Sequence, residues 1–265
     1  MLHIRLLTVM AVTGACAFAQ DPAPRLTCDG GSHNRRLVSH CEMNEQTLPA
    51  PRGVISVNPG SNGGVSVRGW DRADVLMRAR IETAAPSDSE ARQMVSQIRL
   101  ASGAGQIQAD GPETDRDHQW SVSYEIFVPR NSDIDAKAHN GGIHIADLRG
   151  KIHFETVNGG VTLRGLAGDV QGRTANGGLT IDLAGDHWDG AGINVETTNG
   201  GVRLGVPANY SAHLETSTVN GGMNVDFPVN IQGRFSDHAL SFNLGGGGAT
   251  IRVVTTNGGV KIRHI

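Results

Sequence analysis

Hydrophobic and polar residues alternate along most of the chain after Val54, and a period of two residues predicts β-strands. The alternation is clearest over 120–128, where every second residue from Trp120 is aromatic or aliphatic. A strand of this kind has one buried and one solvated face. Pro129 follows directly and should end the strand, because proline has no N–H to donate to a neighbouring strand. The chain is therefore expected to be all-β over most of its length.

One segment, 87–98, departs from this alternation and predicts a short helix. Its apolar residues recur at helical spacing as Ala91, Met94, Val95 and Ile98. Ser87 can cap the N-terminus, and Glu90 three residues later completes a capping box. We expect this helix to cover an open flank of a sheet, where unpaired strand edges need protection.

The tripeptide Asn-Gly-Gly recurs along the chain and predicts an internal repeat. Its asparagines are Asn62, Asn140, Asn158, Asn176, Asn199, Asn220 and Asn257. From Asn140 onward, successive asparagines are 18, 18, 23, 21 and 37 residues apart. The last interval is about two periods, so we expect a degenerate copy at 242–246 to fill it. A short, fixed period with β character is typical of a solenoid.

Aligning the repeats on their asparagines gives columns of constant chemistry. Positions three and five after the asparagine, and six before it, are apolar and predict an inward-facing core. The position two before it is threonine in five repeats: Thr156, Thr174, Thr197, Thr218 and Thr255. The position three before it alternates in charge: Lys137, Glu155, Arg173 and Glu196. We expect the threonines to form hydrogen bonds along a strand surface and the charges to support stacking at ~4.8 Å.

Two architectures are compatible with these turns. Asn-Gly between alternating apolar residues is also a strong signal for a two-residue hairpin, which would give an antiparallel meander. The columns keep the same phase in every repeat, which favours parallel stacking. We therefore predict a right-handed parallel β-helix, or β-solenoid, built from Asn-Gly-Gly repeats. Asparagine tolerates positive φ and glycine adopts it at no steric cost, so both residues suit such a turn; the second glycine would let adjacent turns approach.

The pattern divides the chain into four parts. Residues 1–19 have a basic start, an apolar stretch and an A-x-A site ending at Ala19, which predicts a removable secretory signal. Residues 20–52 form a polar N-terminal extension, 53–133 form an N-terminal β region with the helix 87–98, and 134–265 form the repeat solenoid, continuous with 53–133. In an alternative interpretation, 13–16 is a lipoprotein box and Cys16 carries a lipid, the only expected route to membrane attachment.

The two cysteines left after cleavage, Cys28 and Cys41, predict a disulfide, because an exported protein meets an oxidising compartment. His33 and His40 lie nearby in the sequence, so a metal site is the alternative. These four residues lack the paired C-x-x-C spacing of structural zinc sites. We expect the disulfide to anchor the N-terminal extension.

Composition excludes several classes of function. Glycine makes up 36 of 265 residues, about twice the usual share, without the three-residue period of collagen. A formal net charge of -3 with scattered charges gives no footprint for nucleic acid. Nucleophile elbows and phosphate loops are absent from the sequence, and no residue indicates a cofactor.

Three weaker signals of chemistry remain. Asp182 and Asp226 follow Gly-Gly as in calcium-binding nonapeptide repeats, but the fourth-position glycine is missing and Arg164 or Arg263 replaces the aspartate in other repeats. The sequence Asp-His-Trp-Asp at 186–189 lies in an insertion between two repeats and is interpreted as a loop whose tryptophan packs over a neighbouring repeat. Its alternative is a site in a carbohydrate-active enzyme. The few aromatic residues favour packed anchors over sugar-stacking platforms.

The repeats, of which 156–163 is a clear example, resemble a bacterial family of proposed adhesins of unknown function, related to Toastrack-type envelope domains. The resemblance covers 54–265 and is strongest over 134–265. It implies a right-handed β-helix and a periplasmic or cell-surface location, and it provides no catalytic residues.

We therefore expect a non-catalytic, exported, adhesin-like interaction protein whose partner is an unidentified envelope protein or polymer. The alternative is a carbohydrate-active β-helix enzyme or a glycan-binding protein. Because 260–265 would form the last strand of the stack, we also expect end-to-end pairing of copies, or coverage of that strand by the N-terminal segment.

Overall fold

The computed structural model describes residues 26–28, 36–227 and 233–265. The signal segment 1–19, Cys16 and His33 lie outside the described residues. Within the described part of the chain, no helix is long and apolar enough to cross a membrane.

The described residues form strands and one short helix, which confirms the all-β prediction. The strands are β1 (Val38–Pro49), β2 (Ile55–Asn58), β3 (Val65–Trp70), β4 (Asp74–Ala85), β5 (Arg99–Gly103), β6 (Gln106–Asp110), β7 (Gln119–Pro129), β8 (Ile134–Asn140), β9 (Ile143–Ala146), β10 (Arg149–Asn158), β11 (Val161–Arg164), β12 (Ala167–Asn176), β13 (Leu179–Asp182), β14 (Gly192–Asn199), β15 (Val202–Val206), β16 (Ala212–Asn220), β17 (Met223–Val225), β18 (Gly233–Ser236), β19 (Ala239–Leu244), β20 (Thr250–Asn257) and β21 (Val260–His264); the helix is α1 (Asp88–Val95).

These strands build two sheets. The ten-stranded sheet has the order β1-β4-β7-β3-β9-β11-β13-β15-β21-β17, and the eleven-stranded sheet has the order β18-β19-β16-β20-β14-β12-β10-β8-β2-β6-β5. Each complete repeat places the strand before its asparagine in the eleven-stranded sheet and the strand after it in the ten-stranded sheet. The turn at the asparagine therefore carries the chain from one sheet to the other.

Neighbouring repeats pair in parallel and in register. Asn158 is aligned with Asn140 on one side and with Asn176 on the other. In the other sheet, Val161 is aligned with Ile143 and with Leu179. A meander of antiparallel hairpins is therefore wrong for these repeats, and their strands form a β-solenoid-like stack.

The inward columns of both sheets form a single hydrophobic core. Ile143, Val161 and Leu179 are each at most 1% exposed, as the alternation predicts. A large and a small residue are paired at one place in this core. Phe154 is fully buried, and its aromatic ring lies 2.5 Å from where a Cβ on Gly172 would be. The glycine in that repeat therefore provides the space for the phenylalanine of the repeat before it.

The last repeat departs from sequence order. β20 lies between β14 and β16, and β21 lies between β15 and β17, so residues 250–264 are inserted between two earlier repeats. The segment 242–246, predicted as a degenerate parallel copy, is different: β19 runs antiparallel to β16. Positive φ at Gly245 and Gly247 lets the chain reverse between β19 and β20, which lie on opposite sides of β16.

This insertion changes the end of the stack. The final strand β21 is paired on both sides and is not the exposed edge. The edges at this end are β17 and β18, so the expectation that 260–265 leaves an unpaired edge is wrong. The premise for end-to-end pairing through that strand does not hold.

The strand β1, in the N-terminal extension, forms the opposite edge of the ten-stranded sheet. β1 pairs antiparallel with β4 along its whole length. No residue of β1 is fully buried, so the apolar alternation that would have predicted this strand is absent within the extension 20–52. Cys41 of β1 is bonded to Cys28, as predicted, with Cα atoms 5.7 Å apart. Because both sulfurs form this bond, neither is available as a thiolate ligand for a metal.

The helix α1 is shorter than the predicted segment 87–98. Ser87 is its N-cap and accepts a hydrogen bond from the backbone N–H of Glu90 at 3.3 Å, as the capping box predicts. Ala91 and Met94 are buried, and the Thr83 hydroxyl of β4 donates to the Ala91 carbonyl at 2.8 Å. The helix therefore packs its apolar face on the sheet next to β1 and β4.

Candidate functional site

The seven asparagines that precede Gly-Gly form one continuous series of hydrogen bonds along an edge of the stack, which we call the asparagine ladder. Their spatial order is Asn62, Asn140, Asn158, Asn176, Asn199, Asn257 and Asn220. From the second member on, each side-chain Nδ2 donates to the Oδ1 of the preceding member, at 2.8 to 3.0 Å. The structure therefore brings together all the turn residues found in the sequence.

In the turn at Asn158 glycine is required for space and not for backbone conformation, whereas Gly63 of the first turn does have a positive φ. Neither Gly159 nor Gly160 has a positive φ, and Asn158 does not either, so the expected conformational reason is wrong for this turn. A Cβ added to Gly159 would overlap the Gly141 carbonyl oxygen, well inside the 3.0 Å that real Cβ atoms keep. A Cβ on Gly160 would have its nearest neighbour at 3.5 Å, an ordinary contact. The close approach between turns belongs to the first glycine and not, as expected, to the second.

The threonine column is buried behind the asparagine ladder. Thr156, Thr174 and Thr197 are each 2% exposed, whereas the sequence placed them on a strand surface. Each threonine hydroxyl of the column donates to a glycine carbonyl of a neighbouring turn, at 2.7 to 2.9 Å. These buried hydrogen bonds and the exposed asparagine ladder fix each turn to the next from two sides.

The outward face of the eleven-stranded sheet presents charges of both signs, some of them paired within the face. Arg173 donates to Glu155 of the preceding repeat at 3.0 Å, and this hydrogen bond raises the pKa of the Arg173 guanidinium. Lys137, however, pairs with Asp135 of its own strand at 3.6 Å. The alternating column thus forms one of the expected ion pairs between neighbouring repeats, and the face is close to neutral.

The outward face of the ten-stranded sheet is less balanced. Across β9, β11, β13, β15, β21 and β17, one row of side chains reads His144, Thr162, Thr180, Arg203, Lys261 and Asn224. Arg203 and Lys261 are directly opposite each other on neighbouring strands, and both are exposed. Like charges in this position destabilise a sheet.

Two further arginines complete a cluster that we call the basic patch: Arg164, Arg203, Lys261 and Arg263. Arg164, Asp182 and Arg263 follow the residues of that row by two positions on β11, β13 and β21. Asp182 lies between the two arginines, 3.1 Å from Arg164 and 3.3 Å from Arg263. Among the described residues, the one carboxylate within ion-pair distance of Lys261 is that of Asp226, at 3.8 Å. Among the described residues, no carboxylate lies within ion-pair distance of Arg203. The basic patch therefore has four cations and two carboxylates, in a chain of net negative charge.

These contacts also bear on the weak calcium signal at Asp182 and Asp226, where the sequence predicted no metal site. Asp182 is shared by two guanidinium groups, and Asp226 faces an ammonium group. No group of three or more potential metal-ligating side chains occurs in the described residues. Both aspartates therefore act as counter-ions of the basic patch.

His144 is the histidine at the other end of the same row. Burial lowers its pKa, and the charge of Arg164 lowers it further. The imidazole is therefore neutral at neutral pH and adds no charge to this face.

The insertion 183–191 holds the tryptophan loop predicted from the sequence. Trp188 is 6% exposed, and its indole N–H donates to the Gly168 carbonyl of an earlier repeat at 2.9 Å. Asp186 bonds to His187 at 2.6 Å, which lowers the pKa of the Asp186 carboxyl. Asp189 pairs instead with Arg149 at 2.5 Å. The two carboxylates have separate partners, whereas a glycosidase acid needs a raised pKa.

Residues 54–263 match the family model described as Toastrack DUF4097. The chain belongs to the Toastrack family. The match begins after β1, so the disulfide-linked strand lies outside the part that identifies this Toastrack protein.

Several solved structures match most of the Toastrack chain at low identity. A proposed cell adhesion protein from Clostridium sporogenes is 11% identical, with a TM-score of 0.46, over 85% of this chain and 100% of that chain. A proposed adhesin from Bacteroides fragilis is 11% identical, with a TM-score of 0.31, over 84% and 97%. A proposed lipid binding protein from Parabacteroides distasonis is 7% identical, with a TM-score of 0.28, over 84% and 96%. No curated protein matches the sequence.

The three tryptophans of the Toastrack chain, all within the described residues, do not form an open platform for sugar rings. Trp120 and Trp188 are 8% and 6% exposed. Trp70 is half-buried, tilted against Phe127 at 5.5 Å between ring centroids, and covered by the Arg72 guanidinium at 4.3 Å. These three tryptophans act as packed anchors.

Sequence reasoning missed one polar cluster, which joins α1 to the loop before β7. His118 lies 3.3 Å from Glu90 of the helix and 3.2 Å from Asp115 of its own loop. The hydrogen bond to Glu90, followed by that to Asp115, raises the pKa of the His118 imidazole. The capping box at Ser87 marked Glu90, but nothing in the sequence indicated that a histidine 28 residues later would reach it.

Proposed function

We propose that this Toastrack protein is a non-catalytic, exported interaction protein of the bacterial envelope, and that it binds an anionic envelope polymer through the basic patch. The observation that carries the proposal is the juxtaposition of Arg203 and Lys261 on neighbouring strands. Two exposed cations held ~4.8 Å apart repel each other. An anionic ligand would relieve this repulsion, so the arrangement favours binding.

Export is supported by the disulfide between Cys28 and Cys41. Disulfides persist in oxidising compartments such as the periplasm and the cell surface. We further propose that the segment 1–19 is removed as a secretory signal, with lipidation at Cys16 as the alternative. An intact mass of the mature protein separates the two, because a chain beginning at Gln20 and a diacylated or triacylated Cys16 differ in mass.

We also propose that each Asn-Gly-Gly repeat forms one coil of a right-handed solenoid. Successive parallel strands of one sheet are joined through a strand of the other sheet, which makes every repeat a crossover connection. Such crossovers are right-handed in roughly 98% of cases. A crystal structure with left-handed coils would overturn this part of the proposal.

An enzymatic role is not proposed. The clearest pair of carboxylates, Asp186 and Asp189, is engaged with His187 and Arg149 respectively. A carbohydrate-active site would need two carboxyl groups facing one substrate, one of them with a raised pKa.

The test measures binding of the mature protein to purified cell envelopes of its source organism across a series of salt concentrations. Reversing two charges in the double variant R203E/K261E should weaken binding at low salt by about tenfold or more, equivalent to ~1.4 kcal/mol. The control is R252E, which reverses a half-buried arginine on the outward face of the eleven-stranded sheet whose side chain donates to the Asn194 side-chain oxygen. Equal binding by the two variants, or binding independent of salt, would refute the basic patch as the contact surface.

A further inference from the structure

The asparagine ladder has a chemical weakness at one end. Every asparagine in it is followed by glycine, which lacks a side chain to shield its backbone nitrogen. In an unfolded chain that nitrogen can attack the asparagine side-chain carbonyl and displace ammonia. The seven sites share the same reacting sequence, Asn-Gly-Gly, so large differences in reactivity among them are expected to come from the fold.

Six of the seven sites are held by three hydrogen bonds each. In the repeat at Asn158, the side-chain Nδ2 donates to Asn140, the Oδ1 accepts from Asn176, and the backbone N–H of Gly159 donates to the Asn176 carbonyl at 3.0 Å. The same three contacts recur at Asn140, Asn176, Asn199 and Asn257. Asn62, the first member, donates instead to the Trp120 carbonyl at 3.4 Å and keeps the other two contacts. In all six, the attacking nitrogen and the carbonyl it would attack are both engaged.

Asn220 is the last member of the asparagine ladder and keeps only one of these contacts. Its Nδ2 donates to Asn257 at 2.8 Å. The backbone N–H of each first glycine points toward the next repeat in the stack, and beyond Asn220 there is no further Asn-Gly-Gly turn. Among the described residues, nothing accepts a hydrogen bond from the Gly221 N–H or donates to the Asn220 Oδ1.

We propose that Asn220 is a site of spontaneous deamidation in the folded protein. The Gly221 nitrogen forms a bond to Cγ of Asn220 and loses its proton, while the Cγ–Nδ2 bond breaks and Nδ2 leaves with that proton as ammonia. Water then opens the resulting cyclic imide at either carbonyl, giving aspartate or isoaspartate. The net change is the gain of one water and the loss of one ammonia, without an oxidant or a reductant.

The experiment follows the seven sites in a single sample of the mature protein. The folded protein is incubated at mildly alkaline pH and digested at intervals, and the deamidated fraction of each Asn-Gly peptide is measured by mass spectrometry. We expect Asn220 to deamidate at least about tenfold faster than each of the other six; a tenfold difference corresponds to ~1.4 kcal/mol, similar to one net hydrogen bond.

The same incubation in denaturant is the control, and all seven sites should then react at similar rates. Equal rates in the folded protein would overturn the proposal, because the fold would then give no selective protection. Asn220 reacting fastest in denaturant as well would also overturn it, since the cause would lie in the sequence. The N220Q variant, which keeps an amide side chain but forms such an imide poorly, should show no fast site.

Discussion

Replacing Gly159 by alanine tests the steric reason for the turn. The added Cβ would overlap the carbonyl oxygen of Gly141, which is backbone and cannot move aside as a flexible side chain can. Shifting the turn would also disturb the hydrogen bond from the Gly159 N–H to Asn176 and the one that Thr174 donates to the Gly159 carbonyl. The substitution therefore perturbs the contacts of this turn with both the preceding and the following repeat.

The magnitude follows from these contacts. Overpacking costs about 1–3 kcal/mol, and the loss of one of the two hydrogen bonds adds about 0.5–1.5 kcal/mol, so we expect G159A to lower the free energy of unfolding by about 2–4 kcal/mol. For a chain of this size, that corresponds to a decrease in Tm of roughly 5–15 °C.

Gly160 in the same turn provides the matched control. Its added Cβ would have ordinary contacts, with the nearest atom at 3.5 Å. Alanine also lowers the entropy of the unfolded chain, which is worth about 0.4–1 kcal/mol where the native backbone tolerates it. We expect G160A to unfold within about 1 kcal/mol of the parent protein. Thermal unfolding followed by circular dichroism measures both variants, and equal Tm values for G159A and G160A would refute the steric argument.

Two further predictions concern hydrogen bonds. Replacing Thr174 by valine removes the buried hydroxyl that donates to Gly159 and should cost about 1–3 kcal/mol in denaturant unfolding, whereas the same change at the exposed Thr198 should be nearly neutral; equal effects would contradict the role of the buried column. For His118, NMR titration should give a pKa above that of an ordinary histidine and a lower value in E90Q. The stabilisation from this histidine is full below its unfolded-state pKa and is lost as pH rises through the folded pKa; a pKa unchanged in E90Q would contradict the Glu90 contact.

The sequence was most informative where chemistry repeats at a fixed spacing. The asparagine, threonine and apolar columns follow directly from the constant offsets in the sequence, and the structure places each column in one line along the stack. The physical reason for the glycines could not be predicted from the sequence. A single sequence shows that Gly159 is glycine but not that its neighbour is a carbonyl of another turn, so positive φ was the natural and incorrect explanation.

Other features could not be predicted because they depend on distant pairing. β1 has no fully buried residue and therefore lacks the alternation that predicts a strand; it is recognised only by its partner β4. The interval of 37 residues before Asn257 indicated two periods, but not that the chain leaves the stack, returns antiparallel in β19 and inserts between earlier strands. Predicting the unequal charge of the two faces would have required knowing which residues lie opposite each other, such as Arg203 and Lys261.

The insertion of β20 and β21 between earlier repeats has a consequence for the order in which the protein can fold. Repeats up to β15 can stack in the order of the sequence, because each contacts the one before it. β16 and β17 cannot take their final positions until residues 250–264 arrive to separate them from β14 and β15. Non-local pairing of this kind slows folding. The final pairing of β16 and β17 therefore depends on residues far along the chain, and until these arrive β14 and β15 keep an open strand edge.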